Sequence, residues 1–116
     1  MQYMFLIYTD PNREPTPNDP DFGKIMQGYM AVAEEARAKG AMVAGDALEG
    51  TDTATTVRVV DGANQVTDGP FAETKEQLGG YYILDCKNLD EAIEYAAKIP
   101  GASHGCVEIR PIKVFN

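Results

Sequence analysis

The order in which strand-like and helix-like patterns follow one another constrains the fold of this chain more than any other feature. Residues 3–8 form a short apolar and aromatic run typical of a strand, and a polar loop with several prolines follows it. From Pro20 to Lys39 apolar residues recur every three or four positions, which predicts an amphipathic helix capped by Asp19 and stopped by Gly40. Ala41–Leu48 predicts a second, weaker strand, so this part of the chain is expected to form a β-α-β unit.

A second strand–helix–strand pattern ends the chain, and a hairpin lies between the two units. The hairpin strands Thr55–Val60 and Gln65–Thr67 are expected to pair across Asp61-Gly62, a dipeptide typical of tight turns. The later elements are a strand Tyr81–Cys86, a helix that starts with a capping-box pattern at Asn88 and ends at Pro100, and a strand Val107–Ile112. This order predicts an α+β, ferredoxin-like fold, with two helices on one face of an antiparallel sheet.

Length and charge narrow the class of protein. A chain of 116 residues with 44% hydrophobic content fits a single domain, residues 1–116. Its net charge of −8, with no basic cluster, disfavours nucleic acid and anionic membranes as partners. The longest apolar run, Met4 to Tyr8, is far shorter than the ~20 residues of a membrane-spanning helix, and no signal-peptide pattern precedes it. We therefore expect a cytoplasmic protein.

The cysteines and the histidine bear on metals and cofactors. Cys86 and Cys106 are expected to stay reduced in a cytoplasmic protein, although a disulfide between them is arithmetically allowed. With one histidine and no C-x-x-C spacing, a tetrahedral zinc site is not expected. The sequence leaves open a site in which carboxylates alone hold a cation. No metal or cofactor is predicted.

A polar turn joined directly to an aromatic strand carries a family resemblance. Asp68-Gly69-Pro70-Phe71, followed by Ala-Glu-Thr-Lys-Glu-Gln-Leu-Gly-Gly-Tyr-Tyr-Ile-Leu up to Leu84, resembles the DGPF-domain branch of the YCII-related family. Similar matches are found in residues 1–8, 45–48, 54–59 and 104–112. The resemblance implies a dimeric α+β barrel, and most members of the family have no assigned reaction.

The first strand bears apolar side chains on both faces, with Met4, Leu6 and Tyr8 alternating with Tyr3, Phe5 and Ile7. Two helices cover only one face of such a sheet, and a large exposed apolar face marks an interaction surface. Together with the resemblance, this predicts a homodimer that buries the helix-free faces. The alternative is a monomer whose hairpin folds over its own sheet.

His104 is the first candidate for chemistry, since it is the single histidine of the chain. Imidazole is the side chain that ordinarily titrates near neutral pH. His104 lies in a small, flexible setting before the last strand, and the resemblance implies that relatives share this His-Gly position. The alternative is a loop histidine with no chemical role.

Asp68 and Glu73 are the candidate partners of His104. Asp68 is predicted either to orient the histidine or to accept backbone N–H groups of its own turn. Glu73 is a further candidate near the mouth of the site, with a solvated surface charge as the alternative. The resemblance implies a His-Asp pair in the founding YCII branch, but its histidine lies near the first helix, where this sequence has none. The pairing of His104 with Asp68 is therefore our own hypothesis and not the motif of the family.

Other parts of the loop and strands have structural interpretations. The loop 68–77 is expected to be anchored in the core by Phe71 and Leu78 and to contain a helical turn around 73–77. Gly79-Gly80 precedes a strand, which favours a bulge or close backbone passage over a phosphate-binding loop. Arg58 and Arg110 are expected to bind a substrate carboxylate or to pair with acids such as Glu108 or Asp85.

These features lead to two hypotheses for function. The first is a cofactor-independent enzyme of lyase or isomerase type, which transfers protons on a small organic molecule with His104, Asp68 and Glu73. The second is a non-catalytic module that binds a small ligand or serves in regulation. The resemblance adds a link to signalling, because genes of DGPF proteins often lie beside extracytoplasmic-function sigma factors. A purely structural dimer would leave the polar loop unexplained.

Overall fold

A computed structural model describes residues 1–115 and shows one antiparallel sheet with helices on one of its faces. The first unit comprises strand β1 (Gln2–Thr9), helix α1 (Phe22–Ala38) and strand β2 (Met42–Ala47). A short 3-10 turn at Thr51–Thr53 leads into the hairpin, β3 (Thr55–Val60) and β4 (Ala63–Asp68). The last unit comprises β5 (Gln77–Asp85), α2 (Leu89–Lys98), the short helix α3 (Gly101–His104) and β6 (Gly105–Pro111).

The sheet order is β2-β5-β1-β6, and each neighbouring pair is antiparallel. The two central strands are thus the first strand of each β-α-β unit, which is the ferredoxin-like arrangement. Strands β3 and β4 form a separate two-stranded sheet inserted between β2 and β5. The predicted α+β, ferredoxin-like fold with an inserted hairpin is confirmed.

The core lies between the sheet and the helices, and the side chains of β1 alternate in exposure accordingly. Tyr3, Phe5 and Ile7 are buried against the helices, whereas the intervening residues of β1 are half-buried on the other face. Burial of each large apolar side chain contributes about 1.5–3 kcal/mol. The other core residues are Val32, Ala36, Ala41, Leu84, Cys86, Ala92, Tyr95, Ala96 and Ile99.

Of the two predicted helix caps, the one at Asn88 is present and the one at Asp19 is not. Asn88 caps α2 as predicted, since its Oδ1 accepts a hydrogen bond of 2.9 Å from the Glu91 backbone N–H. Asp19 was expected to cap α1 and does not. The helix begins after Asp21, and the Asp19 carboxylate instead accepts the Thr16 backbone N–H at 2.6 Å. The turn of the preceding loop therefore uses the carboxylate that the sequence pattern assigned to the helix.

The β3–β4 hairpin turns at Asp61-Gly62, as predicted, with positive φ angles of 52° and 78°. Its two strands contact mainly each other, and its valines are exposed, with Val59 at 67% and Val66 at 63%. The hairpin therefore does not fold over its own sheet. The alternative of a monomer closed by its hairpin is wrong for this chain.

The loop between β4 and β5 differs from two expectations. Phe71 was expected to anchor it in the core, but its ring is 79% exposed. The helical turn around residues 73–77 is absent, because Thr74 Oγ1 donates to the Glu76 carbonyl at 2.6 Å and Gln77 already pairs with β1. The bulge expected at Gly79-Gly80 is present, since the β1–β5 register shifts between Ile7 and Tyr8.

Two further findings concern cysteines and membranes. Cys86 and Cys106 are free thiols, the first buried in the core and the second exposed. Burial raises the pKa of the Cys86 thiol, with nearby carboxylates adding to the rise. Within residues 1–115, every helix is too short or too polar to cross a bilayer.

Candidate functional site

His104 is the last residue of α3 and lies where this short helix meets the sheet. The next residue, Gly105, pairs with Thr9 at the end of β1. A Cβ on Gly105 would overlap the Tyr8 carbonyl oxygen, so only glycine lets β6 start this close to β1. The glycine that follows His104 therefore has a structural purpose, which is to bring α3 and its histidine against the end of the central strand.

His104 lines a small cavity of about 100 Å³ between α1, α3 and the loop after β1. Glu14, from that loop, lines the same cavity and accepts a hydrogen bond of 3.3 Å from Thr9 Oγ1. Thr9 is itself buried, so the hydroxyl that holds Glu14 is fixed by the sheet. The cavity is thus lined by an imidazole and by the carboxylate of the exposed Glu14, its other lining residues being Pro15, Phe22, Ile25, Met26 and Tyr29.

A larger cleft of about 380 Å³ lies beside this cavity, between α1 and the β2–β5 edge of the sheet. The two spaces share Thr9, Glu14, Met26 and Tyr29 as walls. Clefts of this volume are in the range that holds small ligands. Helix α1 supplies one wall with Met26, Tyr29, Met30, Ala33 and Arg37, and the sheet supplies the other with Ile7, Gly45, Asp46, Ala47, Gly79, Gly80, Tyr81 and Tyr82.

Two tyrosines connect the walls of the cleft. The Tyr82 hydroxyl donates to the Tyr29 backbone carbonyl at 3.4 Å. Burial raises the pKa of Tyr29, and the nearby Tyr82 and Glu14 add to the rise, while a hydrogen bond from the Gly101 backbone opposes it. Burial also raises the pKa of Tyr82, against the effect of Arg37. Both phenols are therefore neutral hydrogen-bonding groups at physiological pH.

The charges of the cleft are separated along its length. Glu14 lies at the His104 end, where Thr9 hydrogen-bonds it. Asp46 lies on the sheet edge and accepts a hydrogen bond of 2.7 Å from the Tyr81 hydroxyl. Arg37 lies near the end of α1 and forms no ion pair with any described residue. The cleft thus has a cationic end and an acid–base end.

Asp68 and Glu73 lie elsewhere in the single chain. Asp68 is the exposed last residue of β4, and Glu73 is exposed in the following loop. Within residues 1–115, neither forms a hydrogen bond or an ion pair with His104, and neither lines its cavity. The association of His104 with Asp68 and Glu73 remains a prediction.

A third hollow, of about 560 Å³, lies on the helix-free face at the end of β1 and β6. The loop 68–77 borders it, since the lining residues are Tyr8, Asp10, Arg13, Thr74, Lys75, Glu76, Cys106 and Glu108. Its charged walls are of both signs and differ in burial, since Asp10 is buried whereas Arg13, Lys75 and Glu108 are exposed. Arg110 Nε lies 3.7 Å from Glu108 Oε2 on the same face, so the expected pairing of Arg110 with an acid such as Glu108 is present. Arg58 is exposed on the hairpin.

The sequence reasoning missed Glu14, Tyr29 and Arg37. Glu14 lies in a loop with no periodicity, so no local signal pointed to it. Tyr29 lies on the apolar face of the predicted helix, where its ring fits the periodicity and its hydroxyl gives no separate signal. Among residues 1–115, no three His, Cys, Asp or Glu side chains come together as a metal site.

Comparison with known proteins places this chain in a family. A model of the YCII-related domain matches residues 1–116. An uncharacterised protein of Rhizobium meliloti is 36% identical over 118 residues, which cover 100% of this chain and 95% of that protein. The narrower DGPF branch stays a prediction.

A solved structure shares the fold. It is 5-chloro-2-hydroxyhydroquinone dehydrochlorinase of Burkholderia phenoliruptrix, in complex with 2,5-dihydroxybenzoquinone, with a TM-score of 0.50 and 14% identity over 97% of this chain and 94% of that one. At this identity the likeness concerns the fold alone. The match over the whole length and the relative at 36% identity show that the chain belongs to the YCII-related domain family.

Proposed function

We propose that the protein is a cofactor-independent enzyme that transfers protons on a small organic molecule bound in the α1–sheet cleft. The observation that carries the proposal is that His104 and Glu14 line a small cavity beside this cleft, with Glu14 among the walls of both. An acid–base pair beside a ligand-sized apolar space is what such an enzyme requires. The reaction is of lyase or isomerase type, because both begin with proton removal from an activated carbon. An isomerase returns the proton at another atom, and a lyase completes the reaction by departure of a leaving group from the neighbouring carbon.

His104 acts as the general acid/base in this proposal, and Glu14 is the carboxylate that faces the same cavity. The hydrogen bond from Thr9 limits the freedom of Glu14, which favours one orientation of its second oxygen. General acid–base groups contribute about 10²–10⁴-fold to a rate, enough for proton abstraction from an activated carbon. Asp68 and Glu73 are kept as secondary candidates, to be tested separately.

The structural neighbour suggests a first probe. Its name describes a dehydrochlorinase, an elimination catalyst of lyase type, and its bound ligand is 2,5-dihydroxybenzoquinone. The ring C–H groups of this compound are activated by the adjacent oxygens. Exchange of these protons with solvent deuterium, followed by proton NMR, therefore reports acid–base chemistry without knowledge of the natural substrate.

The test compares wild type with His104→Gln, Glu14→Gln and Asp68→Asn. Wild type should accelerate exchange above the protein-free rate, and His104→Gln and Glu14→Gln should each reduce the acceleration about 10²-fold or more. Ser103→Ala, an exposed neighbour of His104, is the matched control and should keep the full rate. Retention of the rate in His104→Gln would remove the proposal, and a loss confined to Asp68→Asn would return that residue to the site.

A binding module is the second candidate, favoured by the composition of the cleft. Met26 and Met30 are 39% and 60% exposed at its mouth, and methionine side chains adapt to varied apolar ligands. Saturable binding of the probe with no acceleration of exchange in wild type would support a sensor or regulatory accessory protein instead.

We also propose that the protein is a homodimer. Its helix-free sheet face carries half-buried apolar residues of β1, and exposed valines of the hairpin and Phe71 extend the apolar surface. Exposed apolar surface of this kind is normally covered by a partner. Sedimentation should give twice the monomer mass at micromolar concentration, and a monomer would remove the proposal.

A further inference from the structure

We propose that the α1–sheet cleft selects planar ring compounds that carry an anionic group, and that Gly79 determines this selectivity. The inference rests on the proposed function in using the same cleft, but it concerns recognition and not proton transfer. It joins two observations that the acid–base site leaves unused, a sheet floor that includes the glycines of a bulge and a cation without an acidic partner.

Two consecutive glycines at a bulge form part of the floor of the cleft. The register of β1 and β5 pairs Ile7 with Gly80 but Tyr8 with Leu78, which leaves Gly79 unpaired. A Cβ on Gly79 would lie 3.7 Å from Thr9 Oγ1, and one on Gly80 would lie 3.0 Å from the Asp46 carbonyl, so both face the cleft side of the sheet. On β2 the Tyr82 ring covers Gly45, where an added Cβ would lie 2.5 Å from a ring carbon, and Ala47 continues the surface beside it.

Glycine backbone beside the flat ring of Tyr82 favours flat ligands. A planar ring can bring one whole face into van der Waals contact with such a surface, whereas a puckered ring touches it at only some of its atoms. Met26, Met30 and Ala33 form the facing wall, and unbranched methionine side chains can close over a ring. The cleft is therefore shaped as a slot.

The charges orient the ligand within the slot. Arg37 is the cationic side chain among the lining residues, and no described residue forms an ion pair with it. The two lining carboxylates already accept hydrogen bonds, Asp46 from Tyr81 and Glu14 from Thr9. Tyr29 and Arg37 are about 12 Å apart along the axis of α1, at ~1.5 Å per residue. An anionic group at Arg37 thus directs the opposite edge of the ring toward Glu14 and His104.

Gly79 offers a substitution that changes the slot and little else. The nearest atom to an added Cβ is at 3.7 Å, an ordinary contact, and the φ of Gly79 is not positive. Gly79→Ala should therefore fold and place one methyl group on the floor. Gly23→Ala is the matched control, since a Cβ there meets nothing within 4 Å.

The experiment is calorimetric titration with benzoate, its puckered analogue cyclohexanecarboxylate, and uncharged benzyl alcohol. Wild type should bind benzoate about tenfold more tightly than cyclohexanecarboxylate, and Gly79→Ala should weaken benzoate binding about tenfold, as for one methyl group in a tight pocket. Gly23→Ala should bind like wild type. Arg37→Gln should weaken benzoate binding and leave benzyl alcohol unchanged.

Equal affinity for the two carboxylates, no binding of benzoate, or equal affinities in Gly79→Ala and Gly23→Ala would each overturn the inference. If thermal unfolding shows that Gly79→Ala is not folded, two measurements decide the inference. They are the affinities of wild type for benzoate and cyclohexanecarboxylate, and the affinity of Arg37→Gln for benzoate. Planar selectivity without catalysed proton exchange would leave this inference standing and remove the proposed function. Catalysed exchange with no preference for planar rings would do the reverse.

Discussion

At the scale of single residues, Tyr95 is the clearest departure from a well-satisfied core. Its ring is 3% exposed and its hydroxyl is a buried polar group without a partner among the described residues. Lys39 Nζ and Lys98 Nζ lie 5.8 and 5.9 Å from the ring centroid, so the ring contributes through packing and cation–π contacts. The hydroxyl itself is expected to cost about 1–3 kcal/mol.

Tyr95→Phe should therefore leave the free energy of unfolding unchanged or raise it by about 1 kcal/mol, because it removes the unsatisfied group and keeps the ring. Urea unfolding measures this change. Tyr81→Phe is the control, since it deletes an exposed hydroxyl that is hydrogen-bonded to Asp46, and it should not stabilise. A loss above about 1 kcal/mol in Tyr95→Phe would indicate that the hydroxyl has a partner.

The sequence did not predict the exposure or the neighbours of residues whose surroundings come from distant parts of the chain. Phe71 follows a proline turn and precedes a core strand, yet its ring is exposed, because none of the described elements covers it. His104 was correctly singled out by its chemistry, but its neighbour Glu14 is ninety positions earlier in a loop of no regular pattern. Local sequence signals carry no information on such long-range proximity.

At the scale of elements, periodicity and turn chemistry predicted the type and order of the main strands and helices. The Asp61-Gly62 turn, the Gly79 bulge and the Asn88 cap were all found as expected, since each depends on a few adjacent residues. The Asp19 cap was not, because Asp19 has a competing acceptor role toward Thr16. Competition between two local motifs cannot be decided from their spacing alone.

Substitution of the two predicted caps tests this difference. Asn88→Ala should cost about 1 kcal/mol of unfolding free energy, because the Glu91 backbone N–H loses its acceptor. Asp19→Ala should leave the start of α1 unchanged and cost no more than about 0.5 kcal/mol, as for an exposed surface site. Denaturant unfolding of both variants gives the comparison, and equal losses would contradict the assigned cap positions.

At the scale of the whole molecule, burial raises the pKa of Tyr29, Tyr82 and Tyr95. A group whose pKa is higher in the folded state contributes stability below its unfolded pKa and loses that contribution as pH rises through the folded pKa. The free energy of unfolding should therefore fall as pH rises above about 10, the ordinary tyrosine value. Lys98 acts in the same direction, because its hydrogen bond to Glu35 raises its pKa.

Urea unfolding from about pH 8 to pH 11 measures this fall, and phenolate absorbance follows the tyrosines themselves. Tyr29→Phe should reduce the alkaline loss of stability, which separates the contribution of the phenol from that of Lys98. Titration of all tyrosines together at about pH 10, with stability unchanged above it, would show that these phenols are not buried.

We propose that ligands bind in the cleft between α1 and the sheet, with His104 in the adjoining cavity. The most direct measurement is a methionine-methyl and histidine NMR spectrum recorded during titration with benzoate. Met26 and Met30 line the cleft, whereas Met4 lies on the helix-free face, so each face has its own reporter. We predict saturable shifts of the Met26, Met30 and His104 signals with Met4 unchanged, and shifts centred on Met4 with Met26 and Met30 unmoved would contradict the claim.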